Sequence, residues 1–382
     1  MRSKNVLAVF GTRPEAIKMA PVVKRLKRSE LVDVSVCVTA QHRGMLDQVL
    51  KLFDIQPDFD LDLMKPNQSL SGLTSSVLSG VTDIIREARP DLLLVHGDTT
   101  TMFGAALAGF YEKIPVGHVE AGLRSGNIHS PWPEEMNRRT AAQLASLHFA
   151  PTATARTNLQ SEGVPRHAVW VTGNTVIDAL LEVSSRAGVA ALGDSGLFER
   201  MPWLADESRR VILVTGHRRE NFGPGMEGIC NALRRLAAEN DVQIIYPVHP
   251  NPNVLAPTQN LLGAIPNIHL IAPLDYLPFV ALMKRAAFLM TDSGGIQEEA
   301  PALGKPVLVL RDTTERPEAV AAGTVRMVGT LEETIVSEAQ RLLDDPAWYA
   351  TMAAAHNPYG DGKAAERIAQ VIEGQQSIHE FA

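Results

Sequence analysis

Three acids are the first candidates for proton chemistry in this 382-residue chain: Asp98, Glu120 and Glu134. Asp98 closes the apolar run DLLLVHGD and Glu120 closes PVGHVE, with the helical stretch TTTMFGAALAGFY between them. Consecutive strands joined by one crossover helix tend to be neighbours, so their terminal carboxylates stand close together. Glu134 comes from the loop SPWPEEMNRR, where Pro133 can open a helix. Closely placed acids raise one another's pKa, so one can hold a proton while another acts as base. Each acid also has a plainer role. Asp98 can cap the Thr-rich helix after it, and Glu134 with Glu135 can serve as first-turn acids. Two acids at the ends of consecutive strands favour chemistry over these roles.

A second set suits an anion. In TDSGGIQEEA, 291 to 300, a strand-like run stops at Asp292 and a helix begins beyond two glycines. The amides of Ser293, Gly294 and Gly295 would be free to hold a phosphate at that helix front. Ile296, Ala300 and Leu303 fall on the sheet-facing side. Glu299 flanks that side and is placed to accept from sugar hydroxyls, while Glu298 should point to solvent. The plain alternative is a tight turn with ordinary acids on the helix. In VFGTRPEAIK, Gly11 ends a strand, Pro14 suits the first helical position and Glu15 the first turn. Arg13 and Lys18 would supply two cations, which fits a diphosphate better than one phosphate. In TGHRREN, His217, Arg218 and Arg219 follow a strand end directly, and an imidazole with guanidinium groups can hold a departing diphosphate. His42 and His249 each follow a strand with no obvious partner in sequence.

These residues need rigid elements behind them. Short, nearly continuous apolar runs alternate with helical patterns throughout, which predicts α/β architecture with parallel sheets covered on both faces. Strands are expected at 5–11, 33–40, 91–98, 115–121 and 146–152, and then at 210–217, 242–249, 268–273, 288–294, 306–312 and 324–329. The run 168–174 leads towards the second half. The irregular stretch 184–210 reads as the join between two doubly wound, Rossmann-like domains. Arg13, Asp98, Glu120, His217, Arg218 and the Ser293–Gly295 turn directly follow strands, where ligands of open parallel sheets bind. Two sheets facing a central cleft would bring them together.

Composition bounds the alternatives. Hydrophobic residues make up 45% and charged residues 21%, and the length suits two domains. The net charge of −7 speaks against a nucleic-acid binder. Cys37 and Cys230 lie in apolar patterns without metal or disulfide spacing. No His-x-x-x-His or mixed Cys/His spacing occurs, so no metal site is expected. G-x-G-x-x-G is absent near Gly11, so bound NAD is not expected. The apolar run at the start is too short for a signal peptide, and no stretch approaches a membrane span; a cytoplasmic protein is expected.

Taken together, FGTRPEAIKMAP, TAQHRGMLDQVL, LVHGDTTT, PVGHVEAGLRS, SPWPEEMNR, GNTVIDAL, VTGHRREN, YPVHPNP, TDSGGIQEEAP, LGKPVLVLRDTTERPEA and NPYGDG resemble the non-hydrolysing bacterial UDP-N-acetylglucosamine 2-epimerases. The resemblance runs from residue 5 to about 370. It implies a glycosyltransferase B type fold, with an N-terminal domain over 1–175 and a C-terminal, UDP-binding domain over 176–361. The last helix, in 362–382, would pack back on the first domain. It implies interconversion of UDP-N-acetylglucosamine and UDP-N-acetylmannosamine for surface polysaccharide synthesis, in a homodimer. By motif, Asp98, Glu120, Glu134 and His217 take the catalytic positions. UDP contacts fall on Arg13, Lys18, Arg218, Phe279, Ser293, Gly294, Gly295, Glu299 and Arg316, with uracil between Leu274 and Phe279. A second, activating UDP-N-acetylglucosamine would lie by Gln41 and His42; Gly44 stands where some relatives carry a longer side chain. The alternatives are a hydrolysing epimerase, a glycosyltransferase of the same fold, and a non-catalytic nucleotide-sugar sensor.

Overall fold

The computed structural model describes residues 3–40, 43–63, 68–375 and 377–381. The chain divides into two compact units, Met1–Ala179 with Tyr359–Ala382, and Leu180–Pro358.

The first unit carries a sheet of seven strands, β1 (Lys4–Phe10), β2 (Val32–Val38), β3 (Phe59–Asp60), β4 (Leu92–His96), β5 (Val116–Val119), β6 (Leu147–Ala150) and β7 (Val169–Val171). Their order is β3-β2-β1-β4-β5-β6-β7, and the described pairings are all parallel. The strand order reverses between β1 and β4, which makes their carboxyl ends the switch point. β7 is therefore an edge strand of this sheet, where the sequence pointed it towards the second half. The central strands β4 and β5 are buried along their whole length, as strands covered by helices on both faces should be. Leu7, Val9, Leu93 and Val95 pack against Val77, Val81, Met102 and Ala105 of helices Leu70–Ala88 and Thr100–Tyr111.

The second unit repeats the plan with β8 (Arg210–Thr215), β9 (Val242–Pro247), β10 (Ile268–Ile271), β11 (Phe288–Thr291), β12 (Val307–Val309) and β13 (Val325–Met327). The order is β10-β9-β8-β11-β12-β13, again parallel, with the switch point between β8 and β11. Ile212, Val214, Met290 and Leu308 meet Met226, Ile229 and Leu233 of helix Pro224–Glu239 in its core. The stretch read as an irregular join is largely helical. Helix Thr175–Arg186 carries the chain from the first unit into the second, and Val189–Asp194, Leu197–Arg200 and the 3-10 turn Pro202–Ala205 follow. Among the described residues no helix is long and apolar enough to cross a membrane.

Candidate active site

At the first switch point the chain leaves β1 through Gly11. A Cβ there would lie 1.9 Å from Thr39 Oγ1, so only glycine lets the turn sit against the neighbouring loop. Thr12 caps the helix Arg13–Lys27, and Glu15 answers with its carboxylate on the Gly11 and Thr12 amides at 3.0 and 2.8 Å. Thr99 donates to the other oxygen of Glu15 at 2.5 Å. Glu15 is thus a buried capping acid joining the ends of β1 and β4, and burial raises its pKa. Arg13, not Pro14, is the first helical residue. Arg13 is half-buried and has no ion-pair partner among the described residues.

Glu120, just past β5, is 9% exposed and stands at φ 64°, a region that non-glycine residues avoid. Lys18 pairs with its Oε2, and Asn174 Nδ2 donates to the same oxygen at 2.8 Å. His96 Nε2 approaches within 4.0 Å. Asp98 does not cap the next helix; Thr99 does, accepting from the Met102 amide at 3.1 Å. Instead Arg138 grips Asp98 Oδ2 through Nε at 3.0 Å and Nη2 at 2.8 Å, while Asn137 donates to the Asp98 carbonyl at 2.8 Å. Both donors lie on helix Glu134–Leu144, which opens directly after Pro133. Glu135 holds Arg138 in turn at 2.8 Å and is fully buried, so it is no ordinary first-turn acid. Glu134 is different: its Oε2 is buried with no hydrogen-bond partner among the described residues. Two acids are thus braced by their own cations, and the third is not.

Beneath them lie three histidines on adjacent strands, His96 on β4, His118 on β5 and His148 on β6. All are at most 2% exposed. Burial pushes their pKa values down to about 3 for His96 and about 4 for His118 and His148. His118 Nε2 donates to the Gly97 carbonyl at 2.7 Å and fixes the Asp98 turn from below.

In the second unit, Thr215 and Thr291 end β8 and β11 side by side, their hydroxyls 2.6 Å apart. Helix Gly294–Ala302 begins at the glycines. The Gly294 and Gly295 amides have no partner among the described residues, but Ser293 N–H already donates to Thr291 Oγ1 at 2.9 Å. The open anion donors are therefore the two glycine amides rather than three. A Cβ on Gly294 would meet Glu315 Oε1, Arg218 Nη2 and Arg316 Cζ at 3.8 to 3.9 Å. Glu298 is 1% exposed and ion-paired to Arg316, which corrects the expectation that it faces solvent. The arginine supplied by the 311–316 loop needs a counter-charge on this helix, and Glu298 provides it. Glu299 is buried, with Oε1 taking a 2.6 Å bond from the Tyr276 hydroxyl. Leu274 and Phe279 are half-buried on either side of Tyr276.

His217 is about half exposed. Burial of its ring base still lowers its pKa, against the pull of the Asp292 carboxylate. Its ring stacks on that of His249, 5.7 Å between centroids, so His249 does have a partner. Arg218 approaches Glu315 at 3.4 Å. Gln41 and His42 lie outside the described residues.

Two doubly wound parallel sheets with polar loops at both switch points define a Rossmann-like α/β protein. A family model described as UDP-N-acetylglucosamine 2-epimerase matches residues 24–373, and the chain belongs to that family. It is 60% identical over 371 residues to a probable UDP-N-acetylglucosamine 2-epimerase of Ralstonia solanacearum, covering 97% of this chain and 99% of the relative. It is 56% identical over 372 residues to the UDP-N-acetylglucosamine 2-epimerase of Escherichia coli K12, with the same coverage. Among solved structures, the Neisseria meningitidis UDP-GlcNAc 2-epimerase bound to UDP-GlcNAc superposes with a TM-score of 0.88 at 52% identity, over 96% of this chain and 99% of that one.

Proposed function

We propose that this protein interconverts UDP-N-acetylglucosamine and UDP-N-acetylmannosamine without releasing free sugar. Carbon 2 has no adjacent carbonyl, so its proton cannot simply be lost and returned. UDP leaves carbon 1 as the carbon 2 proton is removed, giving 2-acetamidoglucal. A proton then returns to the other face of carbon 2, and UDP adds back to carbon 1. Glu120 or Asp98, each already braced by a cation, takes the proton, and Glu134, which has none, helps to return one. Arg13, His217, Arg218 and the Gly294–Gly295 helix front stabilise the diphosphate charge as it develops. Glu299 receives ribose hydroxyls, Lys18 and Arg316 add cations, and uracil lies along 274–279. The scheme calls on neither NAD nor a metal. The reaction is proposed to run in the cytoplasm and to supply surface polysaccharide precursors. The protein is proposed to act as a homodimer with UDP-N-acetylglucosamine also binding as activator by Gln41 and His42.

The observation that supports the reading is that Asp98 and Glu120 follow the paired strands β4 and β5, with Asp98 held by Arg138 of the helix that Glu134 opens, in a chain matched to the family along most of its length. Proton NMR of the protein with UDP-N-acetylglucosamine in heavy water tests it. The expected product is UDP-N-acetylmannosamine carrying deuterium at carbon 2. Free N-acetylmannosamine with UDP would instead make it a hydrolysing epimerase. An unchanged substrate would leave an acceptor-dependent glycosyltransferase or a sensor.

A further inference from the structure

Asp292 lies between β11 and the glycine helix and is 0% exposed. Its Oδ2 accepts from the backbone amides of His217 and Arg218, both at 2.8 Å, and from Asn221 Nδ2 at 3.2 Å. Its Oδ1 is buried, has no hydrogen-bond partner among the described residues, and lies 3.5 Å from His217 Nδ1. Asn221 is itself buried and also donates to the Leu310 carbonyl at 3.0 Å, while Tyr246 donates to the Gly216 carbonyl at 3.1 Å. The loop that carries His217 is thus tied to the neighbouring strand end through one carboxylate.

Three donors fix Oδ2, so Oδ1 has only the imidazole to serve. A carboxylate oxygen there can only accept, so this approach favours the ring proton on Nδ1 and leaves Nε2 as the basic nitrogen. The same negative charge supports the imidazolium when Nε2 takes up a proton. We propose that Asp292 is a positioning residue for His217, setting both its tautomer and its capacity to become a charged donor towards the leaving diphosphate. The inference rests on the role given to His217 above.

Asp292→Asn isolates the effect. The three donors still require an oxygen at the Oδ2 position, so the new amide N–H₂ must face Nδ1. That makes Nδ1 the acceptor, moves the ring proton to Nε2 and disfavours the imidazolium. The experiment combines long-range ¹H–¹⁵N NMR of ¹⁵N-histidine-labelled protein with UDP titration and epimerisation rates. His217→Gln serves to assign the signal and to measure the histidine's own contribution. The expected result is an Nδ1–H tautomer in the parent and Nε2–H in Asp292→Asn. Turnover should fall about 100-fold, the scale of one lost donor to a developing charge, with UDP affinity kept within about twofold. Adding Asp292→Asn to His217→Gln should slow the reaction no further. An Nε2–H tautomer in the parent protein overturns the proposal without any variant. So does full turnover in Asp292→Asn, or UDP affinity lost in step with turnover, which marks a collapsed loop. Full turnover in His217→Gln alone would remove the histidine from the reaction, whatever its tautomer.

Discussion

Glu120 concentrates the case for chemistry at the residue scale. A non-glycine residue at φ 64° costs on the order of 1–3 kcal/mol, and such strain persists where the surroundings enforce it. Here Lys18 and Asn174 hold the carboxylate in place. Glu120→Gln keeps the shape and removes the base. Turnover should fall by roughly 10²- to 10⁴-fold while UDP affinity stays within about twofold, measured by titration and by epimer formation on the same preparation. A matching loss of UDP affinity would make Glu120 a structural or ligand contact. Glu299→Ala should act the other way, weakening UDP binding by about 1.5–3 kcal/mol, the scale for hydrogen bonds to a charged group. Unchanged UDP affinity would make Glu299 a structural acid that accepts from the Tyr276 hydroxyl. The acids themselves were legible because each ends an apolar run or opens a helix behind proline. Their supports were not: Arg138 reaches Asp98 from 40 positions on, Asn174 reaches Glu120 from 54, and Tyr276 reaches Glu299 from 23. No local pattern encodes such partners. Asp292 could be read as a strand end, but its three bonds to the His217 loop exist only once β8 and β11 pair.

At the scale of elements, the buried apolar strands of both sheets stood out in the sequence, whereas β3 did not. It has only two residues, Phe59 and Asp60, too few to show a pattern. The histidines of β4, β5 and β6 hid for another reason: each sits in a separate apolar run. His118 pairs directly with His148, while β4 sets Val95 opposite His118 and His96 one position further on. The three have a measurable consequence. The folded values, about 3 to 4, lie below the ordinary value near 6.5, so the unfolded chain takes up these protons first. Their contribution is fully present above pH ~6.5 and is lost as pH falls towards ~4. Each neutral histidine gives a slope of at most about 1.4 kcal/mol per pH unit in that window. His148→Gln should flatten the dependence of the first unit's stability on pH between 6 and 4.5 by about that amount, read from urea unfolding at stepped pH. A parallel curve would mean that His148 accepts a proton within the folded unit.

At the scale of the whole chain, the notable feature is the return of residues 359–381 to the first unit after 180–358 have formed the second. Helix Ala364–Ile372 buries Ala365, Ile368 and Ile372, a clear amphipathic pattern in sequence, but nothing local says against which surface. The answer is set by charges distant in sequence. Arg25, on the helix after β1, takes Glu366 at 2.5 Å and Glu373 at 2.9 Å. Asp178 caps the returning helix, accepting from the Ala365 amide at 2.8 Å. Glu380 pairs with Arg156 at 2.7 Å, and the Phe381 amide bonds to the Val171 carbonyl at 2.9 Å. Arg25 serves two carboxylates at once, one of them largely buried, so its loss leaves more than a surface ion pair broken. Arg25→Ala should loosen the returning helix by about 1–2 kcal/mol, after allowing for the solvent that reaches Glu366. Hydrogen exchange should then quicken roughly 5- to 30-fold at amides of 364–372, with those of β8–β13 unchanged. Exchange at the parent rate would mean that the apolar contacts of Ile368 and Ile372 hold the helix without the ion pairs. A rise spread equally through both units would mean that the arginine supports the stability of the whole chain rather than this attachment.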